Sequence, residues 1–197
     1  MFIYFRTVRV KDDIKQDAII EATVSLVNEI GFAASSVSKI AKRAGVSPAT
    51  IYIYFENKED LLVSTYIQIK KSLGDALMSG FEPAQPVHDA LMNAGKNLFQ
   101  YISKHREVFY FTEQFANSPY CELVDKTEVE AAFKPLLELL QYGIDQKIIK
   151  DAPIELLLAH LYFPIFNLVN PRINPEFKAN SENIDMAMTM AWDAIKL

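Results

Sequence analysis

The chain has 197 residues, half of them hydrophobic, and a formal net charge of −5. This length allows a small head and a larger body with a proper core, and the net charge argues against a general nucleic-acid coat protein. The single cysteine, Cys121, excludes an internal disulfide and a cysteine-based zinc site, and it fits a reducing cytoplasm. The longest apolar run, 154–169, contains Glu155 and His160, so it predicts a buried helix rather than a membrane span.

Helical periodicity runs along the chain, and no stretch has the sustained alternation of a strand. The first helix is predicted to end at Gly31. Ser36 is predicted to cap a short second helix that ends at Gly45. Ser47 caps a third, with Pro48 at its first position, where a missing N–H has no cost.

Longer helices are predicted to follow. Asn57 caps a fourth helix, which lasts until the break at Gly80. The later helices are predicted at 87–104, 107–117, 123–147, 154–170 and 181–196. Pro164 favours a kink within the helix at 154–170. The sequence therefore predicts an all-α fold, with a three-helix N-terminal head and a C-terminal helical bundle.

The second and third helices are joined by "RAGVS", and the glycine in this turn favours a helix-turn-helix. An ordinary helical hairpin has the same pattern, so the aromatic residues decide. Ile51 and Phe55 are one turn apart and can face the core, whereas their neighbours Tyr52 and Tyr54 are expected to turn away. Polar-tipped tyrosines suit phosphate oxygens, and Thr50 near the helix start can meet base edges.

Lys58 stands at the start of the predicted fourth helix. A cation at this end is unfavourable against the helix dipole, by about 0.3 kcal/mol or more. The position makes sense if Lys58 and the free N–H groups of the helix end together hold a phosphate. A solvated lysine is the alternative.

The stretch "GFAASSVSKIAKRAGVSPATIYIYFENKEDLL", Gly31 to Leu62, resembles the DNA-binding head of the TetR family of bacterial transcription regulators. The resemblance extends over 14–62, roughly a quarter of the chain. Ala49 stands where many members have glycine. Alanine is small and a better helix former, so nothing essential is lost.

The resemblance implies that ten residues lie at the DNA. They are Ser36, Ser38, Lys39, Pro48, Ala49, Thr50, Tyr52, Ile53, Tyr54 and Lys58. Among them, Tyr52, Tyr54 and Lys58 match the family's phosphate-contacting positions. The variable positions of the third helix lack a strong hydrogen-bond donor, so specificity is expected from Thr50, thymine methyl groups and DNA shape.

The family also implies a division of the chain. Residues 12–58 are expected to form the DNA-binding domain, and 59–197 the domain for ligand binding and dimerisation. Residues 1–11 lie outside the resemblance and are expected to be a frayed terminus or an arm near a DNA groove. Through Lys58 the chain has 8 Lys and Arg against 6 Asp and Glu, and from Glu59 it has 12 against 19. The head is thus weakly basic and the body acidic.

The body holds 16 of the 23 aromatic residues, which indicates either a packed core or a cavity for an apolar ligand. The cavity is favoured within this family. Its candidate lining is Phe99, Phe109, Phe111, Phe115, Phe133, Phe163 and Phe166. Because the body is acidic, a neutral or cationic, largely apolar effector fits best.

The last helix has an apolar stripe that is predicted to form a homodimer interface together with the helix at 154–170. The residues assigned to this interface are Ile184, Ala187, Met188, Ala191, Trp192 and Ile195.

No catalytic, metal or cofactor site is predicted, because the three histidines are scattered and no nucleophile or carboxylate pair stands out. The first hypothesis is therefore a sequence-specific DNA-binding repressor, dimeric and released from a palindromic operator by a small apolar effector. The second is a DNA-binding regulator whose C-terminal domain binds a protein partner or no effector. The third is a small-molecule binding protein or unrecognised enzyme whose head is only structural.

Overall fold

The structure is a computed structural model that describes residues 3–197, with side chains from Asp13 onwards. Within this part the fold is all-α, as predicted. The helices are α1 (Ile3–Ala34), α2 (Val37–Ala44), α3 (Pro48–Tyr54), α4 (Lys58–Leu77), α5 (Val87–Lys104), α6 (Arg106–Ala116), α7 (Lys126–Asp145), α8 (Ile154–Leu161), α9 (Phe163–Leu168) and α10 (Ser181–Ile195). A short 3₁₀ helix, Pro119–Leu123, precedes α7.

The predicted caps of the short helices are confirmed. The Ser36 hydroxyl accepts from the N–H of Lys39 at the start of α2, and Gly45 ends that helix with φ +69°. At the start of α3 the N–H of Thr50 donates to the Ser47 hydroxyl at 3.1 Å. These local hydrogen bonds satisfy backbone groups that the helix ends would otherwise leave open.

Two predicted helices are divided in the structure. The helix expected at 123–147 begins only at Lys126, because Leu123 belongs to the 3₁₀ helix and Val124 after it is extended. The helix expected at 154–170 is broken at Tyr162 into α8 and α9. Pro164 accounts for this break, since it lacks the N–H of an interior helical position and sits in the first turn of α9.

Gly31 interrupts α1, as the sequence indicated. Its backbone has φ 74° and ψ 168°, a conformation that favours glycine, and one further turn to Ala34 follows it. The Ser35 hydroxyl donates to the Gly31 carbonyl at 2.7 Å. The end of α1 is therefore a separate turn rather than a straight continuation.

The chain divides into two compact units. Unit 1 contains the residues up to Ile69 together with Glu107–Asp125, and unit 2 contains Lys70–Arg106 and Lys126–Leu197. The expected boundary between 58 and 59 falls inside unit 1, because α4 continues through it and α6 groups with the head. Of the expected arm at 1–11, the first two residues and all side chains lie outside the described part.

An apolar core in unit 1 joins its first four helices. Its buried residues are Ile19, Ile20, Ala22, Leu26, Ile40, Ala41, Ile51, Phe55 and Leu61. Ile51 and Phe55 are the contributions of α3 and of the residue after it. Burying these two side chains fixes the orientation of the rest of α3.

A second cluster in unit 1 is aromatic and joins α6 to the head. We define the aromatic cluster as Phe32, Tyr66, Phe111, Phe115 and Tyr120. The ring of Phe32 lies 5.8 Å from that of Phe111, 6.0 Å from Phe115 and 5.4 Å from Tyr120, between centroids. Phe111 and Phe115 are fully buried. Aromatic contacts at these distances add to the burial of the rings.

Unit 2 is a helical bundle of the end of α4 with α5 and α7–α10. Its buried side chains include Leu91, Leu98, Leu136, Leu140 and Met188. A Cβ on Gly95 would collide with the Met188 side chain, and one on Gly74 would collide with the Ala132 carbonyl. These two glycines allow α5 and α4 to approach their neighbours closely.

Candidate nucleic-acid interface and apolar cavity

The outer face of α3 is the first candidate site. Ile53 is 77% exposed and Tyr52 56% exposed, although the residue before them, Ile51, is fully buried. Pro48 and Ala49 are also exposed. Side chains this exposed add little to the stability of the head, so this face is available for a partner.

Thr50 lies at the N-terminal end of this face and is half-buried. Its hydroxyl lies 2.9 Å from the Ser47 hydroxyl, so it already takes part in the cap of α3. A hydroxyl can make one donor and two acceptor contacts. The Thr50 hydroxyl therefore retains capacity for a base edge beside its methyl group.

Tyr54 differs from its expected orientation. It is half-buried and packs against the core of unit 1, with its ring centroid 6.3 Å from that of Phe55. Tyr54 follows Ile51 by three residues and so lies nearly above it on the helix, whereas Tyr52 is a quarter-turn away. Of the two tyrosines, only Tyr52 has the predicted outward orientation.

The α2 side of the turn carries small polar residues and a lysine. Ser36, Ser38 and Lys39 are all exposed, and the Lys39 ammonium donates to the Ala34 carbonyl at 3.0 Å. Lys58, half-buried at the start of α4, donates to the Phe32 carbonyl at 2.6 Å. Both lysines therefore contact the last turn of α1 in this structure.

A cavity of about 210 Å³ lies within unit 2. Its lining is Lys70, Leu73, Leu77, Leu98, Phe133, Leu136, Leu137, Leu158, Tyr162, Phe163 and Phe166. Lys70 is the charged member of this otherwise apolar set. Burial raises the pKa of Tyr162 far above its ordinary value, and the Tyr162 hydroxyl donates to the Leu91 carbonyl at 3.3 Å. The phenol is therefore neutral and held by the bundle.

A second, more open apolar groove of about 450 Å³ lies in unit 2 along α10. Met186 and Met190 of α10 line it, together with His160 and Pro164 from the α8–α9 region. Met186 is 59% exposed and Met190 67% exposed. We call this the α10 groove.

The chain matches two family profiles. Residues 19–65 match the profile described as bacterial regulatory proteins of the tetR family, and 91–196 match the tetracyclin repressor-like C-terminal domain. The second match alone covers more than half of the chain. The chain belongs to the TetR family. The resemblance in the head is thereby confirmed and extends over the body.

Three relatives illustrate the similarity. A TetR-family regulator from Marinobacter aquaeolei VT8 is 35% identical, with a TM-score of 0.87 over 95% of this chain and 98% of that one. The fatty acid metabolism regulator protein of Bacillus subtilis is 56% identical over 48 residues, which span only 24% of this chain and 25% of the relative. FadR from Bacillus subtilis, solved in complex with stearoyl-CoA, is 23% identical, with a TM-score of 0.69 over 89% of this chain and 95% of that one. All three relatives are named as regulators.

The lining that sequence reasoning gave to the TetR body is only partly assembled. Phe133, Phe163 and Phe166 lie at the cavity. Phe111 and Phe115 are instead buried in the aromatic cluster of unit 1. Their helix, α6, belongs to unit 1 together with the head. This grouping depends on contacts between residues distant in sequence, which aromatic content cannot indicate.

Two further predicted lining residues also lie elsewhere. Phe109 is half-buried on α6 in unit 1, and Phe99 is half-buried on α5 without reaching the cavity. Sequence reasoning missed the other eight lining residues, among them Lys70, Leu73 and Leu77 of α4. Their spacing of three and four residues was a signal that they share one helix face.

The predicted dimer stripe on α10 requires correction. Ile184, Met188 and Ile195 are at most 2% exposed within the single chain, and Ala191 is buried as well. Ala187 and Trp192 are half-buried. The buried part of this stripe belongs to the core of unit 2, whereas Ala187 and Ala191 also line the α10 groove beside the exposed Met186 and Met190.

None of the helices described in residues 3–197 is long and apolar enough to cross a membrane.

Proposed function

We propose that this TetR-family protein is a homodimeric repressor. It binds a palindromic operator through α3 and is released by a small, largely apolar effector in the unit 2 cavity. The observation that carries the DNA-binding part is the outer face of α3. Ile53 and Tyr52 are exposed there on a seven-residue helix whose opposite face is fixed by Ile51.

The chemistry of this face suits the major groove. Ile53 and Ala49 can contact thymine methyl groups, and Thr50 can reach a base edge. The hydroxyl groups of Ser36, Ser38 and Tyr52 suit phosphate oxygens, contacts that set the register on the duplex without reading its sequence. We expect a modest number of direct base contacts, with DNA shape supplying further specificity.

The test is a genomic selection with the full chain, which should enrich an inverted repeat of roughly 15–25 base pairs. The variant Ile53→Glu should lose the enrichment, because a carboxylate would face the DNA. The control is Ile173→Glu, a change of an exposed isoleucine in unit 2. Selection with the unmodified chain that recovers no inverted repeat would contradict the proposal.

The dimer is proposed to form through the α10 groove, with a second copy of the chain as the occupant. Exposed Met186 and Met190 lie along this groove, and Leu156 on α8 is exposed as well. A two-fold axis here would bury these apolar side chains against each other, as in obligate homodimers. Light scattering at micromolar concentration should give a dimer.

The exposed and the buried methionines of α10 give the variants that test this interface. Met186→Glu with Met190→Glu should give a folded monomer that loses operator binding. Met188→Glu should instead unfold unit 2, because Met188 is fully buried. If the unmodified protein is a monomer, the two-fold model of the dimer is wrong.

The effector proposal rests on the cavity in unit 2. Its volume of about 210 Å³ is below the roughly 300–1,000 Å³ of typical ligand pockets. The effector is therefore small, or the cavity opens as it binds. Stearoyl-CoA on the related FadR supports an apolar chain as part of the ligand. Lys70 in the lining favours an anionic end group, which replaces the neutral or cationic effector that overall charge suggested.

Release from DNA would be a population shift, in which only the difference in effector affinity between two conformations counts. Helix α4 carries Lys70, Leu73 and Leu77 at the cavity and continues N-terminally into unit 1. A typical coupling of about 1–3 kcal/mol would weaken operator binding about 5- to 150-fold.

The effector class is tested with three compounds of equal chain length: decanoate, decanol and decylamine. Decanoate should raise the melting temperature most and release the operator. Lys70→Met should remove its advantage over decanol, while Lys104→Met, an exposed lysine away from the cavity, should keep it. If none of the compounds changes operator affinity threefold, the alternative applies, namely that the body binds a protein partner or no effector.

A further inference from the structure

Three side chains satisfy carbonyl groups in the last turn of α1. The Ser35 hydroxyl donates to the carbonyl of Gly31, the Lys58 ammonium to that of Phe32 and the Lys39 ammonium to that of Ala34. The last carbonyls of a helix have no partner within it, and lysines near a C-terminus commonly bind them. This turn is therefore fixed by Ser35, which directly follows it, and by residues from α2 and from the start of α4.

The two lysines differ in setting. Lys58 is half-buried, and its ammonium lies 2.6 Å from the Phe32 carbonyl. Lys39 is exposed, and its contact to Ala34 is longer, at 3.0 Å. An exposed lysine can exchange this carbonyl for a DNA phosphate with little change in desolvation, whereas a half-buried one would have to leave its site.

The position of Lys58 at the start of α4 now has an explanation that needs no DNA. Its charge is unfavourable against the dipole of α4, but it is favourable at the C-terminal end of α1, where the partial charge is negative. The same ammonium group thus joins two helix ends of opposite polarity.

We infer that Lys58 is a positioning residue for the recognition helix α3, and that Lys39 is the phosphate contact of the pair. This inference rests on the proposed function of the head. Helix α4 begins just after α3, with Phe55 and two further residues between them. Fixing the first residue of α4 to Phe32 therefore limits where α3 can lie relative to the end of α1.

Phe32 also links its contact with Lys58 to the aromatic cluster. Its carbonyl accepts from Lys58 while its ring packs with Phe111, Phe115 and Tyr120 in the aromatic cluster. A shift of α6 that moves this ring would also move the carbonyl that holds Lys58. A change in the packing of the aromatic cluster would therefore pass through Phe32 to Lys58, at the DNA-facing side of unit 1.

A phosphate contact and a positioning contact differ in what they do to binding. Loss of a phosphate contact weakens binding to every duplex and flattens the salt slope by about 0.9. Loss of a positioning contact weakens binding to sequences on which the side chains of α3 must align with base edges, and it leaves the salt slope unchanged.

The experiment uses the full chain with Lys58→Met or Lys39→Met, each of which keeps most of the apolar stem. Affinity is measured over a range of salt on the operator recovered by selection and on a scrambled duplex of equal length. The temperature is one at which circular dichroism shows all variants folded. Lys58→Met should lose about 10-fold on the operator and less than about 2-fold on the scrambled duplex, with an unchanged slope. Lys39→Met should weaken both and flatten both slopes.

Lys58→Arg should recover most of the operator affinity, because a guanidinium can also donate to the Phe32 carbonyl. A flattened slope for Lys58→Met on the scrambled duplex would overturn the inference and make Lys58 a phosphate contact. A lower melting temperature with operator affinity unchanged would overturn it too, leaving a purely structural role. Absence of any operator preference in the unmodified chain tells against the proposed function instead, and the scrambled-duplex slopes still decide the role of Lys58.

Discussion

The ring of Tyr66 lies flat on the ring of Phe115, with centroids 4.3 Å apart and an angle of 13° between the planes. Tyr66 belongs to α4 and Phe115 to α6. This contact joins two helices of unit 1 that are distant in sequence. It also places a phenol hydroxyl in an environment that disfavours its ionised form.

Stability at high pH should depend on Tyr66. Burial, with a smaller contribution from the charge of Cys121, raises the pKa of Tyr66 from 10.0 to about 12. Because the folded state holds this proton more tightly, stability is full below pH 10 and falls as pH rises through about 12. The free energy of unfolding should fall by about 1–2 kcal/mol across this range. Tyr66→Phe should show a smaller fall in urea unfolding curves, and an identical pH profile would contradict the assignment.

Loss of the Phe115 ring should strongly destabilise unit 1. Phe115 is fully buried and contacts Phe32, Phe111 and Tyr66. Phe115→Ala should cost about 3–5 kcal/mol, measured by chemical denaturation. Phe163→Ala is the matched control, because Phe163 is more than half exposed and should cost under about 1 kcal/mol. Similar costs for the two variants would mean that the cluster is not a packed core.

Asn28 should couple energetically to Gln114. Its amide donates to the carbonyl of Glu107 at 2.7 Å and to the Glu107 carboxylate at 2.8 Å, and its oxygen accepts from Gln114 at 2.9 Å. A double-mutant cycle of Asn28→Ala and Gln114→Ala should give a coupling of about 0.5–1.5 kcal/mol in stability. Strict additivity would indicate that the hydrogen bond between them does not persist in solution.

Gly74→Ala should destabilise unit 2, although alanine is the better helix former by about 1 kcal/mol. A Cβ at this position would collide with the Ala132 carbonyl of α7, which is backbone and cannot rotate away. We expect a net loss of about 1–3 kcal/mol in thermal or urea unfolding. Ser72→Ala on the exposed side of α4 is the control and should be neutral or slightly stabilising. A stabilising Gly74→Ala would show that α4 and α7 are not in close contact.

The head could be predicted from sequence because its signals are local. Ser36 and Ser47 cap the helices that directly follow them, and Gly45 ends α2 by its own backbone conformation. The partners of these residues lie within a few positions along the chain. Short-range hydrogen bonds of this kind are specified by the segment itself.

The packing of the body could not be predicted in the same detail, because it depends on contacts between residues that are far apart in the sequence. Phe111 and Phe115 could have lined a cavity, and only the approach of Phe32 and Tyr66 decides that they do not. The two faces of α10 pose the same problem. Met188 and Met190 are two residues apart, yet Met188 fits over Gly95 in the core while Met190 remains exposed.

The discontinuity of unit 1 has a consequence during synthesis on the ribosome. The helices of the head emerge first, but Glu107–Asp125 of the same unit follows only after part of unit 2 has been made. Until then the rings of Phe32 and Tyr66 lack their aromatic partners. Co-translational folding of the head is therefore completed late. A chimaera that joins this head to another regulator's body at Ile69 would exchange those partners for foreign ones, so a working graft should include the α6 segment as well.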